Sequence, residues 1–345
     1  MSKQKKPDYS GMSKVEKVRL IENIVIQSPG FKNIITRINE CHERSKYTSE
    51  PRCLFITGET GYGKTTIGKF YTKDYPRVVN DDGAIIPVLR STISSPATIK
   101  SMGTWLLRDL GDPMPDRGTT TSITMRLCKL IKECRVELLI LDEFQHLIDK
   151  DTEKVIKSSA DWLKNILNDT GVPMVLMGMP WSVDILSAND QLQRRFSAKM
   201  ELKAFGWSTE AEQKEFKTFL ILLENGLPLP KPSNLYSGQM PFRLFCATRG
   251  ILSNIKNLIS KTAEKAIEKG FENITMDLLA LAYDEELALN VVGNTNPFRT
   301  DVESLKVPAA PIPAEPVRGC GGSRHRSRPK GTGKPKGNIS TALHR

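Results

Sequence analysis

Eight consecutive residues have the composition and spacing of a phosphate-binding loop. Their sequence, GETGYGKT, matches the pattern G-x-x-x-x-G-K-[ST]. Glycines let backbone N–H groups surround phosphate oxygens, the lysine reaches the β- and γ-phosphates, and the next hydroxyl holds Mg²⁺. We therefore expect Lys64 to act in catalysis and Thr65 to be a metal ligand. The predicted nucleotide-binding residues of this segment are Gly58, Glu59, Thr60, Gly61, Tyr62, Gly63, Lys64, Thr65 and Thr66.

Two adjacent carboxylates follow an apolar run farther along the chain, in the sequence LLILDE. A buried strand would deliver Asp142 to the outer shell of a bound Mg²⁺, so Asp142 joins Thr65 as a predicted metal-site and nucleotide-site residue. Glu143 would polarise the water that attacks the γ-phosphate. Many strands end in an acidic turn. In combination with a phosphate-binding loop, however, the pair favours a nucleoside triphosphatase.

A pair of arginines ends the sequence DQLQRRF. In oligomeric triphosphatases an arginine at this place reaches the γ-phosphate held by a neighbouring subunit. Arg195 is the first candidate for this catalytic role and Arg194 the second. The alternative is that both are surface arginines at the end of a helix.

Two further positions are weaker candidates for contact with the nucleotide. The fourth predicted strand ends in Met-Gly-Met-Pro, where many such proteins have a polar residue, and Ser182 is the nearest substitute. Arg249, in the helical region that follows, is a candidate second sensor of the nucleotide. Its spacing is offset from the usual pattern.

Hydrophobic patterning indicates the elements that position these residues. Short apolar runs predict strands at residues 52–57, 84–90, 137–141, 173–177 and 199–203. Helical patterns separate them, which favours a parallel α/β sheet. After residue 207 only helical patterns remain, at residues 210–223, 240–246, 251–269 and 276–288.

The chain therefore divides into four parts. We predict a flexible N-terminus at residues 1–20, an α/β body at 21–206, a small helical lid domain at 207–290 and a disordered basic tail at 291–345. The tail is rich in Pro, Gly and Arg, so it cannot bury enough apolar area to fold. Its eight basic residues after Pro316 supply most of the net charge of +11. Such a tail suggests a polyanion as a partner, and the alternative is that it only makes the protein more soluble.

Composition excludes several other classes of protein. No apolar stretch is long enough to cross a membrane, and the N-terminus lacks the apolar core of a secretory signal. The six cysteines are scattered without a C-x-x-C pair, which argues against a disulfide framework or a zinc site. We expect a cytoplasmic protein with no membrane partner.

Five strings in this order resemble the TniB/TnsC family of transposition regulators, which are AAA+ ATPases. They are QSPGF, GETGYGKTTI, LLILDEFQHL, VLMGMP and DQLQRRF, and the resemblance covers residues 20–270. It implies an AAA+ P-loop fold with a C-terminal helical lid, and ATP and Mg²⁺ as ligands. It further implies a ring or helical filament of identical subunits on double-stranded DNA, which recruits a transposase and, in some systems, a TniQ-type target-selection protein. By the same resemblance, DNA contacts fall at residues 94–100 and 118–121, with Lys100 and Thr119 as candidates for the phosphate backbone.

Two other functions stay open at this point. One is a helicase loader or replication initiator of the same ATPase superfamily. The other is a signalling or scaffold NTPase that recruits proteins and does not bind DNA. The C-terminal region shows no clear helix-turn-helix, which disfavours the first, whereas the weakly basic body permits the second.

Overall fold

A computed structural model describes residues 9–48, 50–81, 83–95, 97–147, 153–287, 295–311 and 313. Five parallel strands form the central sheet in the order β4-β5-β6-β1-β7. Their bounds are Leu54–Gly58 for β1, Val88–Thr92 for β4, Leu138–Asp142 for β5, Met174–Gly178 for β6 and Ala198–Leu202 for β7. Strands β5 and β6 are buried throughout because helices cover both faces of the sheet, which is why they read as unbroken apolar runs. The predicted parallel α/β sheet is confirmed.

One predicted strand is divided in two. Residues 84–90 were expected to form a single strand, but the structure has a short strand β3, Gly83–Ile85, and then β4 from Val88. Pro87 lies between them, and it has no N–H for a strand ladder. Its carbonyl instead accepts bonds from the backbone N–H groups of Glu137 and Leu138. Strand β3 pairs with β2, Val78–Asn80, in an antiparallel hairpin apart from the main sheet.

Helices of the body connect and cover the strands. They are α2 (Pro29–Ser45), α3 (Lys64–Lys73), α4 (Ile99–Leu110), α5 (Thr120–Glu133), α6 (Glu153–Thr170) and α7 (Asp190–Arg195), with 3₁₀ segments at Phe144–Leu147 and Pro180–Ala188. Residues 24–28, just before Pro29, do not form a helix. Ser28 caps α2 instead, since its side chain accepts a bond from the N–H of Phe31.

Part of the N-terminal segment, residues 1–20, is helical and not flexible as predicted. Residues Lys14–Glu22 form helix α1, with a complete capping box between Ser13 and Glu16. Ile21 is fully buried in the hydrophobic core of the helical domain. The prediction is therefore wrong for residues 14–20, because one apolar anchor and a good cap order a segment that is polar elsewhere. Residues 1–8 lie outside the described residues.

The helical domain consists of α8 (Glu210–Gly226), α9 (Met240–Thr248), α10 (Leu252–Lys269) and α11 (Met276–Glu286). These helices share a core that is separate from the two cores on either side of the sheet. Aromatic side chains, among them Phe216 and Phe245, contact each other edge to face within this core. The predicted helical region after the body is present.

The start of the predicted disordered tail packs against the helical domain. Phe298 is buried beside Tyr283, and the Arg243 guanidinium donates hydrogen bonds to the carbonyls of Pro297 and Thr300. The prediction of disorder from residue 291 is wrong for residues 295–311. The eight basic residues after Pro316 lie outside the described residues. Within the described part of the chain, no helix has both the length and the apolar character needed to cross a lipid bilayer.

Strand register brings the ends of three strands together. Thr57 of β1 lies beside Gly178 of β6, and Leu141 of β5 lies beside Leu176 of β6. Gly58 and Asp142 therefore reach the same edge of the sheet with β6 between them. In open α/β sheets, ligands bind at this carboxyl edge.

Candidate nucleotide site

The phosphate-binding loop runs from the end of β1 to the start of α3. Gly61 and Gly63 have φ angles of +84° and +97°, in the left-handed region that favours glycine. Gly63 is the N-cap of α3, so the first N–H groups of this helix face the loop. The loop and the helix N-terminus together can receive an anion.

Lys64 is prepared for a phosphate partner. Its side chain is buried, and its Nζ donates to the carbonyl oxygens of Gly58 at 2.6 Å and Glu59 at 3.1 Å. Burial lowers the pKa of Lys64, and the negative charges of Glu143 and Asp142 oppose this shift. A phosphate that replaced the two carbonyls would supply a full negative charge in their place.

Asp142 lies at the end of β5 and is completely buried. Its Oδ1 accepts a bond from the N–H of Glu143 at 3.0 Å. Its Oδ2 has no hydrogen-bond donor among the residues that the structure describes, and lies 3.6 Å from Nη1 of Arg90. Burial raises the pKa of Asp142, and a hydrogen bond from the Thr65 hydroxyl opposes the shift. Thr65 and Asp142 thus meet as predicted. A buried carboxylate oxygen without a donor, beside a hydroxyl, is a donor set that suits Mg²⁺.

Glu143 faces the cleft from the next position. Its φ angle is +57°, which is strained for a residue with a side chain. Its Oε2 accepts a 2.5 Å bond from Nε2 of Gln145 and lies 3.9 Å from Nε2 of His146. The strained backbone turns the chain sharply after the strand and presents the Glu143 carboxylate to the cleft.

A cleft of about 580 Å³ joins these groups. It contains Thr60, Gly61, Tyr62, Gly63, Lys64, Thr65, Thr66 and Glu143 of the predicted site. Gly58, Glu59 and Asp142 are not among its lining residues. The volume is that of a typical site for a ligand the size of a nucleotide.

Sequence reasoning did not assign the far side of the cleft. It is formed by Val25 and Ile26 before α2, by the chain after β7, and by Leu252, Ser253 and Lys256 of α10. The N–H of Ser253 donates to the Gly61 carbonyl at 3.0 Å, so the helical domain contacts the phosphate-binding loop directly. The string QSPGF was the only available signal, and its Ser28, Gly30 and Phe31 do line the cleft.

Arg194 and Arg195 are not part of this cleft. The Arg195 carbonyl accepts a bond from the N–H of Cys53, just before β1, so the pair lies at the opposite end of that strand from the phosphate-binding loop. Arg194 is exposed. Arg195 is half-buried, and its Nη1 has no hydrogen-bond partner within the described chain. A phosphate contact by either arginine therefore requires a second subunit.

The two weaker candidates are also outside the cleft lining. Ser182 is buried, and its hydroxyl donates to the Met179 carbonyl. Arg249 is exposed at the end of α9, in the left-handed conformation. The first turn of α10 takes the place next to the loop that Arg249 was expected to occupy.

Lys100 and Thr119 lie in the first turn of α4 and at the N-cap of α5, and both are exposed. The two helices run in the same direction, because Gly103 packs against Ile123 near both N-terminal ends and Arg77 lies near both C-terminal ends. Arg77 donates a hydrogen bond to the Leu110 carbonyl, and its charge acts on the Cys134 thiol. Both N-termini therefore face the same side of the body. The Thr119 hydroxyl already caps α5 by accepting a bond from the N–H of Ser122.

The fold and this arrangement of loop, carboxylates and helical lid define an AAA+ ATPase fold. Similar solved structures include the ORC2 protein of Aeropyrum pernix in ADPNP and ADP complexes (17% identity, TM-score 0.55, covering 78% of this chain and 72% of that one). They also include Cdc6p of Pyrobaculum aerophilum (14%, TM-score 0.58, 78% and 71%) and the A. pernix ORC1 protein in complex with DNA (13%, TM-score 0.56, 78% and 69%). At such low identity these likenesses concern the fold alone. No curated protein matches the sequence.

The family described as bacterial TniB protein matches residues 17–207. This segment is more than half of the chain and contains both the phosphate-binding loop and the two carboxylates. The chain therefore belongs to the TniB family.

Proposed function

We propose that the protein binds and hydrolyses ATP at this cleft and uses the nucleotide to assemble on double-stranded DNA as a regulator of transposition. The observation that carries the proposal is the meeting of Lys64, Thr65 and the fully buried Asp142 at one edge of the sheet. Burying a carboxylate with one oxygen that lacks a hydrogen-bond donor costs free energy unless a ligand uses that oxygen. The nucleotide-bound ORC2 neighbour has the same fold.

Each residue has a defined part in the reaction. Lys64 leaves the loop carbonyls and binds the β- and γ-phosphates, while the N–H groups around Gly61 and Gly63 hold the remaining oxygens. Thr65 would hold Mg²⁺, and Asp142 would hold its outer shell. When bound, the ion neutralises charge on the β- and γ-phosphates.

Glu143 activates the water. The water oxygen forms a bond to the γ-phosphorus as the bond from that phosphorus to the β,γ-bridging oxygen breaks, and a water proton passes to the Glu143 carboxylate. The products are ADP and inorganic phosphate. Arg195 of an adjacent subunit, with Arg194 as the second candidate, stabilises the transferred group, and such an arginine contributes roughly 10³–10⁵ in rate where it has been dissected.

Assembly follows from this division of labour. The phosphate-binding loop and Arg195 lie at opposite ends of β1, so the site is complete only between two copies of the chain. Repeating that contact produces a ring or a helical filament, in which the first turns of α4 and α5 repeat at regular intervals. Lys100 and Thr119 then contact the DNA backbone, and the array recruits a transposase and a TniQ-type protein.

The test is electron microscopy and ATP turnover of the wild type and of Glu143→Gln with plain duplex DNA. We expect the wild type to form filaments only with ATP and to release DNA as ATP is consumed. Glu143→Gln should bind ATP, hydrolyse it slowly and leave persistent filaments. The exposed Glu210→Gln is the matched control and should behave as the wild type.

Two results would overturn the proposal. One is equal coating of DNA with and without nucleotide. The other is a chain that stays monomeric when both ATP and DNA are present. A scaffold NTPase without DNA affinity would give that result.

A further inference from the structure

We infer that Gln145 is a positioning residue for hydrolysis, which holds the Glu143 carboxylate and connects it to the end of strand β6. This inference rests on the proposed ATPase function. Gln145 lies in the 3₁₀ turn Phe144–Leu147 after β5, and only 6% of its surface is exposed. It does not line the cleft, so it reaches the nucleotide only through Glu143.

Both ends of the Gln145 carboxamide are used. Its Nε2 donates to Oε2 of Glu143 at 2.5 Å, and its Oε1 accepts a bond from the N–H of Met179 at 3.2 Å. The two partners fix the orientation of the amide, because a carboxylate can only accept and a backbone N–H can only donate. The bond to the carboxylate is charge-assisted and therefore among the stronger hydrogen bonds.

The surroundings explain why this residue has the task. Position 178, at the end of β6, is a glycine. A Cβ atom at Gly178 would lie 2.5 Å from Oγ of Ser182 and 3.2 Å from Oε1 of Gln145. A side chain at this position would displace the Ser182 hydroxyl, and Gln145 fills the space from the β5 side.

The geometry leaves Glu143 able to act as a base. A carboxylate offers about four lone-pair sites on two oxygens, and Gln145 occupies one site on Oε2. Among the described residues, no side chain donates a hydrogen bond to Oε1, so this oxygen can accept one from a water in the cleft that Glu143 lines. By fixing the carboxylate on a backbone that is already strained, Gln145 defines the direction from which the proton is taken.

The experiment compares Gln145→Leu and Gln145→Met with Gln213→Leu. Gln213 also donates a single side-chain bond, to the Trp207 carbonyl at 3.1 Å, but lies in α8 away from Glu143. We expect Gln145→Leu to lower kcat by about 10–100-fold, the range seen when a group that orients a metal ligand is removed. The KM for ATP and the affinity for a fluorescent ATP analogue should change less than about twofold, because Gln145 touches no nucleotide.

Gln145→Met guards against misfolding of the leucine variant. It keeps the length and the approximate volume of the glutamine side chain without adding a charge, and it removes the donor to Glu143 together with the acceptor for the Met179 N–H. We expect the same loss of kcat in a folded protein. A kcat within about twofold of the wild type in this variant would overturn the inference.

A double-mutant cycle separates positioning from a general structural role. In the Glu143→Gln background, single-turnover hydrolysis should be the same with Gln or Leu at position 145, because there is no longer a carboxylate to orient. A full additional loss in that background contradicts the inference. Absence of any turnover by the wild type would overturn the proposed function as well, so the two failures are distinguishable.

Discussion

Buried polar side chains lie at both ends of strand β5, but they differ in how completely they are hydrogen-bonded. At the carboxyl end, Asp142 is fully buried, and one of its oxygens has no donor among the described residues. At the amino end, His42 is also fully buried, but its Nδ1 lies 2.9 Å from the Tyr71 hydroxyl and its Nε2 lies 3.0 Å from Oε2 of Glu137. Lys46 pairs with the same Glu137 oxygen at 3.1 Å.

The difference separates a ligand site from a structural network. The His42 cluster, which consists of His42, Lys46, Tyr71 and Glu137, satisfies its members from α2, α3 and the start of β5, and so holds these elements together. In the candidate nucleotide site, by contrast, Asp142 is incompletely hydrogen-bonded, and Lys64 donates to two carbonyls of the loop in place of a phosphate. In this protein, the incomplete hydrogen bonding of its buried ionisable groups distinguishes the candidate ligand site from the structural network.

The largest expected effect comes from Lys64→Ala. Because Lys64 is the lysine of the phosphate-binding loop, we expect ATP affinity to fall by roughly 100-fold or more, about 2.7 kcal/mol. Assembly on DNA should disappear with it. Calorimetric titration with an ATP analogue measures the first and sedimentation with duplex DNA the second. If ATP-dependent assembly persisted in this variant, the carboxyl end of β5 would not be the ligand site that distinguishes it from the His42 cluster.

Asp142→Asn tests the cost of the unsatisfied carboxylate. Turnover should be lost, because the amide is a poor partner for Mg²⁺. The nucleotide-free protein should become more stable, because burial raises the pKa of Asp142 and the neutral amide avoids a buried charge. We expect a melting temperature higher by about 2–4 °C, which corresponds to about 1 kcal/mol. A lower melting temperature would show that the charge is satisfied.

His42→Leu should have the opposite pattern. It removes both hydrogen bonds of the imidazole, so the free energy of unfolding should fall by about 1–3 kcal/mol. ATP affinity should stay that of the wild type, which urea unfolding and nucleotide titration can check. Reduced ATP affinity in a folded His42→Leu variant would connect the two ends of β5.

The same histidine predicts a pH dependence. Burial lowers the pKa of His42 and the bond to Glu137 opposes the shift. In the unfolded chain the group titrates near 6.5, so below about pH 6.5 the unfolded state binds more protons than the folded state. The stability of the wild type should therefore decrease as pH falls below 6.5. His42→Leu should lose this part of the slope.

The smallest effect concerns the exposed residues of α4 and α5. Lys100→Ala should weaken DNA binding equally for all sequences and lower the slope of log affinity against log salt by about 1 for each chain. Lys129→Ala, at an exposed position farther along α5, is the control. Fluorescence anisotropy at several salt concentrations gives both slopes. An unchanged slope for Lys100→Ala would show that the DNA-binding surface lies elsewhere on the protein.

Local sequence determined the parts of this protein that depend on neighbours in the chain. The loop from Gly58 to Thr65, the strand that ends in Asp142 and the cap of α2 follow from residue types within a few positions, because glycine conformations, strand burial and capping are short-range effects. The parallel sheet followed from the alternation of such segments. Membership of the TniB family followed from their order.

Only the tertiary structure decided which distant segments meet. Gln145 gained its role because β6 lies beside β5, which places the Met179 N–H within reach. Ser253 reached the phosphate-binding loop through the packing of the helical domain, and Ile21 and Phe298 entered the core of that domain from segments expected to be unstructured. Each of these depends on a contact between residues far apart in sequence, whose free energy arises from burial and hydrogen bonding and leaves no pattern in the local sequence.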